Sequence, residues 1–268
     1  MNTSFSLISD THFHTGYNDA SGLDLPGGDV LLIAGDLCEV GTLKDKEILN
    51  NLRQELNKYK QVFSVMGNHE HYNGDLLTTK DLYESRLTDH VRLLEKEWVD
   101  LPNGDVLFGA TLWSSLLGLD PLVEMQSRQW SDYRRITVGS RGLEAKDTYY
   151  EYNQTLRALH SCLEESRVRG KEVIVMTHFS PSSLSIPDKY RGSPSNPFYY
   201  SDLEDIILDN PHLKVWCHGH THNHFNYKIG ECRVLCNPHG YTHESGLGWD
   251  KDFKFERLNS SKEIQKRC

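Results

Sequence analysis

The stretch VFSVMGNHE, Val62 to Glu70, decides how this chain is read. A short apolar run, Val62–Met66, ends at a glycine and is followed at once by Asn68, His69 and Glu70. Such a run reads as a buried strand. The same grammar recurs four times. Phe5–Ser9 precedes Asp10-Thr11-His12, Val30–Ala34 precedes Gly35-Asp36, Glu172–Thr177 precedes His178, and Lys214–Cys217 precedes Gly219-His220-Thr221-His222. In α/β sheets, ligands bind beyond the carboxyl ends of strands, where loops converge. Five segments far apart in sequence are therefore expected to meet in space.

Between these runs the pattern changes to helical spacing over Thr42–Lys60, Leu76–Leu87, Lys146–Val168 and Asp202–Asp209, with Asp147 and Asp202 as acidic first-turn residues of the last two. A further strand is expected at Val106–Leu112, and a closing antiparallel set at Phe225–Ile229, Arg233–Cys236 and Phe253–Arg257. Strands alternating with helices predict an α/β fold. No repeat or low-complexity linker divides the 268 residues, so a single domain over 1–268 is expected. Two irregular stretches, 113–143 and 179–200, are rich in Ser, Pro, Arg and Tyr. They either cover the substrate or close a sheet edge. The first is expected to hold a short helix around Pro121–Trp130.

The formal charge of −9 argues against a broad basic face for long nucleic acid or an anionic membrane, although bound cations would reverse the local field. No run approaches the ~18 apolar residues that span a bilayer. The N-terminal MNTSFSLISD lacks a basic segment followed by an apolar one. The cysteines, Cys38, Cys162, Cys217, Cys232, Cys236 and Cys268, form no CxxC pair. A cytoplasmic protein with reduced thiols is expected.

Histidine is the anomaly, with 14 residues concentrated in a few segments. The strand-end segments offer Asp, Asn and His, an oxygen and nitrogen donor set without thiolate. It suits Mn²⁺, Fe, Zn²⁺, Co²⁺ or Ni²⁺ better than Mg²⁺ or Ca²⁺. The candidate ligands are Asp10, His12, Asp36, Asn68, His178, His220 and His222. They are more than one tetrahedral ion can use, whereas two divalent metal ions sharing a carboxylate use them all. Gly35, Gly67 and Gly219 permit tight turns just before the ligands.

Taken in order, DxH at Asp10, GD at Gly35, GNHE at Gly67, the lone His178 and GHxH at Gly219 resemble the motifs of the calcineurin-like metallophosphoesterase superfamily. The resemblance runs from Asp10 to about Tyr241. The stretches THFSPSS, VWCHGHTH and CNPHGY are also similar to small bacterial members known as predicted phosphoesterases. The resemblance implies a four-layer αββα sandwich of two mixed β-sheets flanked by helices, with the metals at the C-terminal strand ends. It implies that Asp10, His12 and His222 bind one ion, that Asn68, His178 and His220 bind the other, and that Asp36 bridges them. His69 would lie outside this set, near the leaving group. The implied activity is hydrolysis of a phosphate monoester or diester of a small or nucleotide-like substrate. Attack would be in line, by a hydroxide held between two ions about 3.5–4 Å apart.

In that reaction Asp36 and His69 are the catalytic candidates, with His69 protonating the departing alkoxide. Glu70 or Asp36 would orient the His69 ring. Asn237 and His239 would buttress the metal-bound histidines or line the pocket. His14, His71 and His224 are expected at the surface or beside the site. Arg134, Arg135, Tyr190 and Arg191 are expected as solvated side chains ahead of substrate contacts, and Tyr199 and Tyr200 against a helix start. The intact motif set weighs against a binding module that has lost activity. A protein Ser/Thr phosphatase and a nuclease of the same superfamily are the alternatives. The short insertions favour a small substrate over the first, and the lack of a basic, aromatic-rich strip tells against the second.

Overall fold

The computed structural model describes residues 2–258 apart from 15–17 and 19, so Cys268 lies outside the described residues. In chain order the strands are β1 (Thr3–Ile8), β2 (Gly28–Ala34), β3 (Tyr59–Val65), β4 (Val91–Leu93), β5 (Glu97–Asp100), β6 (Val106–Ala110), β7 (Thr137–Val138), β8 (Arg141–Gly142), β9 (Val173–Thr177), β10 (Leu213–His218), β11 (Phe225–Ile229), β12 (Cys232–Cys236) and β13 (Lys254–Arg257). One sheet has the order β13-β1-β2-β3-β4, parallel except for β13. The other has the order β11-β12-β10-β9-β6-β5, with antiparallel strands at its two edges only. Strands β7 and β8 form a separate ribbon.

The central strands are apolar on both faces, and that forces the layering. Successive residues of a strand point to opposite sides, so a strand such as β2 needs a cover on each. Val30 and Leu32 face inward, where they meet Ile174, Met176 and Val215 of the second sheet. Leu31 and Ile33 face outward against Ile48, Leu52 and Leu56 of the helix Lys46–Leu56. On the far side, Phe108, Val175 and Trp216 pack on Leu159, Cys162 and Leu163 of the 24-residue helix Ala145–Val168. Each fully buried large apolar side chain in these layers contributes about 1.5–3 kcal/mol. The outcome is the expected αββα sandwich.

The expected helices are trimmed at their ends. Thr42–Lys60 is not one helix: Thr42–Lys44 is a 3-10 turn, and Asp45 caps Lys46–Leu56 by accepting from the Glu47 N–H at 2.9 Å. Tyr59 already belongs to β3, paired with Gly28. Leu76–Leu87 shortens to Thr79–Arg86, and Asp202 precedes the helix Glu204–Asp209 instead of starting it. Asp147 does sit in a first turn, closing a capping box with Glu144. The helix expected around Pro121–Trp130 is Pro121–Ser127, and Ser131–Arg135 forms a second short one. Among the described residues, no helix is long and apolar enough to cross a membrane.

Candidate metal centre

Strands β1, β2 and β3 are mutually parallel, as are β9 and β10, and their carboxyl ends deliver all five segments to one place. The backbone there is unusual. Asp10, His12, Asp36, His220 and His222 all have φ between +45° and +65°, a left-handed conformation that ordinary residues avoid. Each such residue costs about 1–3 kcal/mol, and strain of this kind collects at functional sites. Two glycines make the close approach possible. A Cβ at Gly67 would stand 2.1 Å from Asp36 Oδ1, and one at Gly35 would stand 2.5 Å from His178 Nδ1.

Asp36 is the node of the cluster. Its Oδ2 lies 3.3 Å from His178 Nε2 and 3.9 Å from both His12 Nε2 and His69 Nε2. Asp10 Oδ1 lies 3.4 Å from His222 Nε2, which faces His12 Nε2 at 3.0 Å. Among the described residues, donor atoms within 4.8 Å of one another fall into three groups: Asp10, His12 and His222; Asp36, His178 and His220; and His12, Asp36 and His69. Asp36 joins the last two, and His12 joins the first to the third.

This donor set fits cations. Burial would raise the Asp10 carboxyl, yet His222 and His178 hold it below its usual range. Burial also opposes ionisation of Asp36, and His178, His69 and His12 together hold it well below. In return, against the effect of burial, Asp36 draws His178 up to about 9, and Asp10 draws His222 up to about 10. The two carboxylates thus pull positive charge into a buried space. Burial pushes His12 and His220 down to about 3, so both are neutral imidazoles. Ionised carboxylates, neutral imidazoles and an amide oxygen are the donors that divalent borderline ions take.

The ring orientations follow from bonds made on the outer side of the cluster. His178 Nδ1 donates to the Ala34 carbonyl at 2.9 Å, which turns Nε2 toward Asp36 and toward Asn68 Oδ1 at 3.1 Å. His220 Nε2 donates to the Phe198 carbonyl at 3.2 Å and leaves Nδ1 for the cluster. His222 Nδ1 donates to Glu244 Oε2 at 2.7 Å. Asn68 Nδ2 donates to Asp132 Oδ1 at 2.9 Å, which fixes its amide with the oxygen inward; the Tyr72 hydroxyl donates to the same oxygen at 2.6 Å. Such outer partners set the tautomer and basicity of metal ligands.

Several sequence expectations need correction here. Asn237 does not support a motif histidine: its Nδ2 donates to the Leu7 and Asp250 carbonyls, and His239 bonds Gly240. Glu244 and the Ala34 and Phe198 carbonyls take that role. Glu70 does not orient the His69 ring, because its carboxylate accepts from the backbone N–H groups of Asp36, Leu37 and Gly67 and so staples two of the loops together. The Tyr241 hydroxyl, 3.3 Å from His69 Nε2, is the nearer ring partner. Of the two places expected for His71, the surface is excluded: it is buried beside Trp113, and, as expected, it joins no ligand group among the described residues. Arg135 is not a freely solvated cation. It pairs with Glu39 at 2.6 Å and lies 4.2 Å over the Tyr72 ring. Tyr199 does pack against a cluster containing Leu116 and Ala145, the first residues of two helices, and its ring also meets His220 and Trp130. Asp132, Tyr72, Tyr241 and Glu244 were not singled out by the motifs.

A cavity of about 610 Å³ opens over the cluster and is walled by both irregular stretches, through Trp130 and Arg135 from the first and Pro187, Tyr190 and Tyr199 from the second. A second cavity, of about 300 Å³, shares His69, Arg135 and Tyr241 with it. Arg135 is the one Lys or Arg among the described residues lining either.

The sequence pattern of the calcineurin-like phosphoesterases matches residues 4–224. An uncharacterized protein, L509, of Acanthamoeba polyphaga mimivirus is 26% identical over 224 residues, 78% of either chain. The fold is similar to that of a phosphopantetheinyl hydrolase from Mycobacterium tuberculosis, with a TM-score of 0.65 and 15% identity over 90% of each chain. It is also similar to a dimetal phosphatase from Danio rerio, with a TM-score of 0.56 and 12% identity over 96% of this chain and 99% of that one. With its cluster of carboxylates and imidazoles at the strand ends, the chain belongs to the calcineurin-like phosphoesterase family of metal-dependent hydrolases acting on phosphate esters.

Proposed function

We propose that the protein is a single-domain hydrolase of small or nucleotide-like phosphate monoesters or diesters, working with two divalent ions. The observation that carries this reading is the position of Asp36 Oδ2 between the His178 and His12 ring nitrogens. Asp10, His12 and His222 would hold one ion, Asn68, His178 and His220 the other, and Asp36 both. When bound, two such ions lower the pKa of a water shared between them and offset charge on the phosphoryl oxygens. Manganese is a suitable ion for this nitrogen and oxygen donor set, along with iron, zinc, cobalt and nickel.

The chain's own residues supply the rest. His69 faces both cavities and is placed to pass a proton to the departing oxygen. Segments 113–143 and 179–200 act as the substrate cover, and their enclosure favours a small ester over a folded protein or duplex. With Arg135 as the one Lys or Arg among the described lining residues, already engaged by Glu39, the pocket suits one phosphoryl group better than a polyphosphate. The five described cysteines are buried and unpaired, which supports a reducing, cytoplasmic setting.

The test is hydrolysis by metal-stripped protein resupplied with Mn²⁺, using a chromogenic monoester and a diester, beside Asp36→Asn. Turnover by the wild type that depends on added metal and is lost in the variant is expected. Equal turnover without metal, or in the variant, would overturn the reading.

A further inference from the structure

The segment that follows β12 lies beyond the region shared with the family pattern, which ends at residue 224. It is nonetheless bound into the site. The His239 N–H donates to the Ser9 carbonyl at 2.9 Å, and the Gly240 N–H to the Asp10 carbonyl at 2.8 Å. The Tyr241 N–H donates to Glu244 Oε2 at 2.9 Å, the same oxygen that accepts from His222. These bonds turn the Tyr241 side chain inward. Its ring stacks on His12, with centroids 4.1 Å apart and planes 20° from parallel. Its hydroxyl reaches His69 Nε2 at 3.3 Å, and it lines both cavities.

Asp36 Oδ2 stands 3.9 Å from Nε2, beyond hydrogen-bond reach, and the other contacts on the His69 ring do not distinguish its atoms. Tyr72 lies against it at 4.1 Å between centroids, and His12 meets it edge-on at 4.5 Å. Apolar contacts of this kind tolerate a half-turn about the last side-chain torsion, which exchanges Nε2 with a ring carbon. A hydrogen bond at Nε2 does not. The Tyr241 hydroxyl therefore selects the flip that keeps Nε2 on the Asp36 side, where the reacting phosphoryl group must sit.

We propose that Tyr241 is a positioning residue for His69, aligning its ring for proton transfer to the leaving group. The proposal rests on the role given to His69 above. The step is one proton passed from Nε2, whose N–H turns from the Tyr241 oxygen to the ester oxygen, as the bond from that oxygen to phosphorus breaks and the electron pair leaves on it. A poor leaving group needs that proton; an activated one such as 4-nitrophenolate does not. General acid catalysis is worth about 10²–10⁴-fold, so a misaligned acid should forfeit about tenfold on poor leaving groups.

Tyr241→Phe keeps the stack on His12 and removes only the hydroxyl. With Mn²⁺-loaded protein, kcat and KM would be measured for a phenyl and a 4-nitrophenyl ester of the same class. Bound metal would be counted by elemental analysis, and His69→Gln run alongside. The proposal expects kcat on the phenyl ester to fall about tenfold and on the nitrophenyl ester much less, with KM little moved and metal content equal to wild type. His69→Gln should show the same leaving-group pattern, more strongly. Equal losses on both esters, no loss on either, or loss of metal would overturn the proposal alone. A wild type inactive on both esters would overturn the phosphoesterase reading, and this proposal with it.

Discussion

Asp132→Ala should weaken one metal position while sparing the other. Asp132 is buried, and its Oδ1 accepts from Asn68 Nδ2 at 2.9 Å and from the Tyr72 hydroxyl at 2.6 Å. Hydrogen bonds to a charged group are worth about 1.5–3 kcal/mol each, and a buried donor left without a partner costs about 1–3 kcal/mol. Against this, burial raises the Asp132 carboxyl, so removing it relieves a desolvation cost. The net loss of stability should be about 1–3 kcal/mol. The larger effect is on function, because the Asn68 amide loses the partner that keeps its oxygen turned toward His178. Loss of a partner of this kind typically costs about 10–100-fold in metal affinity. The assay is calorimetric Mn²⁺ titration of the stripped protein, with urea unfolding to confirm that the variant is folded. Two sites of which one is weakened by that factor are expected. A folded Asp132→Ala protein that binds both ions as tightly as wild type would refute the reasoning.

Other consequences follow from the same geometry. Gly67→Ala should abolish metal-dependent turnover, since its Cβ would stand 2.1 Å from Asp36 Oδ1; elemental analysis should show depleted metal, and normal content would contradict this. Burial, aided by Lys96, pushes His71 from its ordinary 6.5 down to about 4, so the unfolded chain takes up that proton first as pH falls. Stability from this group is complete above pH 6.5 and is lost as pH falls toward 4. Between pH 7 and pH 5, His71→Phe should lose about 2 kcal/mol less than wild type in urea unfolding. Identical losses would show that His71 is not the group responsible.

The site was legible where unusual residues follow buried strands at once. Asp10, Asp36, Asn68, His178 and His220 could be read because β-branched runs end on them, and the backbone then carries them to one edge. The sandwich was legible for the same reason, since runs such as Val30–Ala34 must be covered on both faces. Short edge strands were not. Val91–Leu93 and Glu97–Asp100 have exposed residues among few buried ones, and only pairing with β3 and β6 makes them strands. Asp132 in a five-residue helix reads as an ordinary first-turn acid, because its partner lies 64 residues away. Glu244 and Tyr241 have no periodic relation to the histidines they touch. Those contacts arise from how the last segment is tied to the ends of β1, and no local spacing encodes that.

In the proposed mechanism the cluster holds two ions that share Asp36. The most direct measurement is the metal content of the folded, Mn²⁺-equilibrated protein after desalting, for wild type and Asp36→Asn. Two ions per chain in wild type and at most one in the variant are expected. One ion or none in folded wild type, or two retained in Asp36→Asn, would contradict the account.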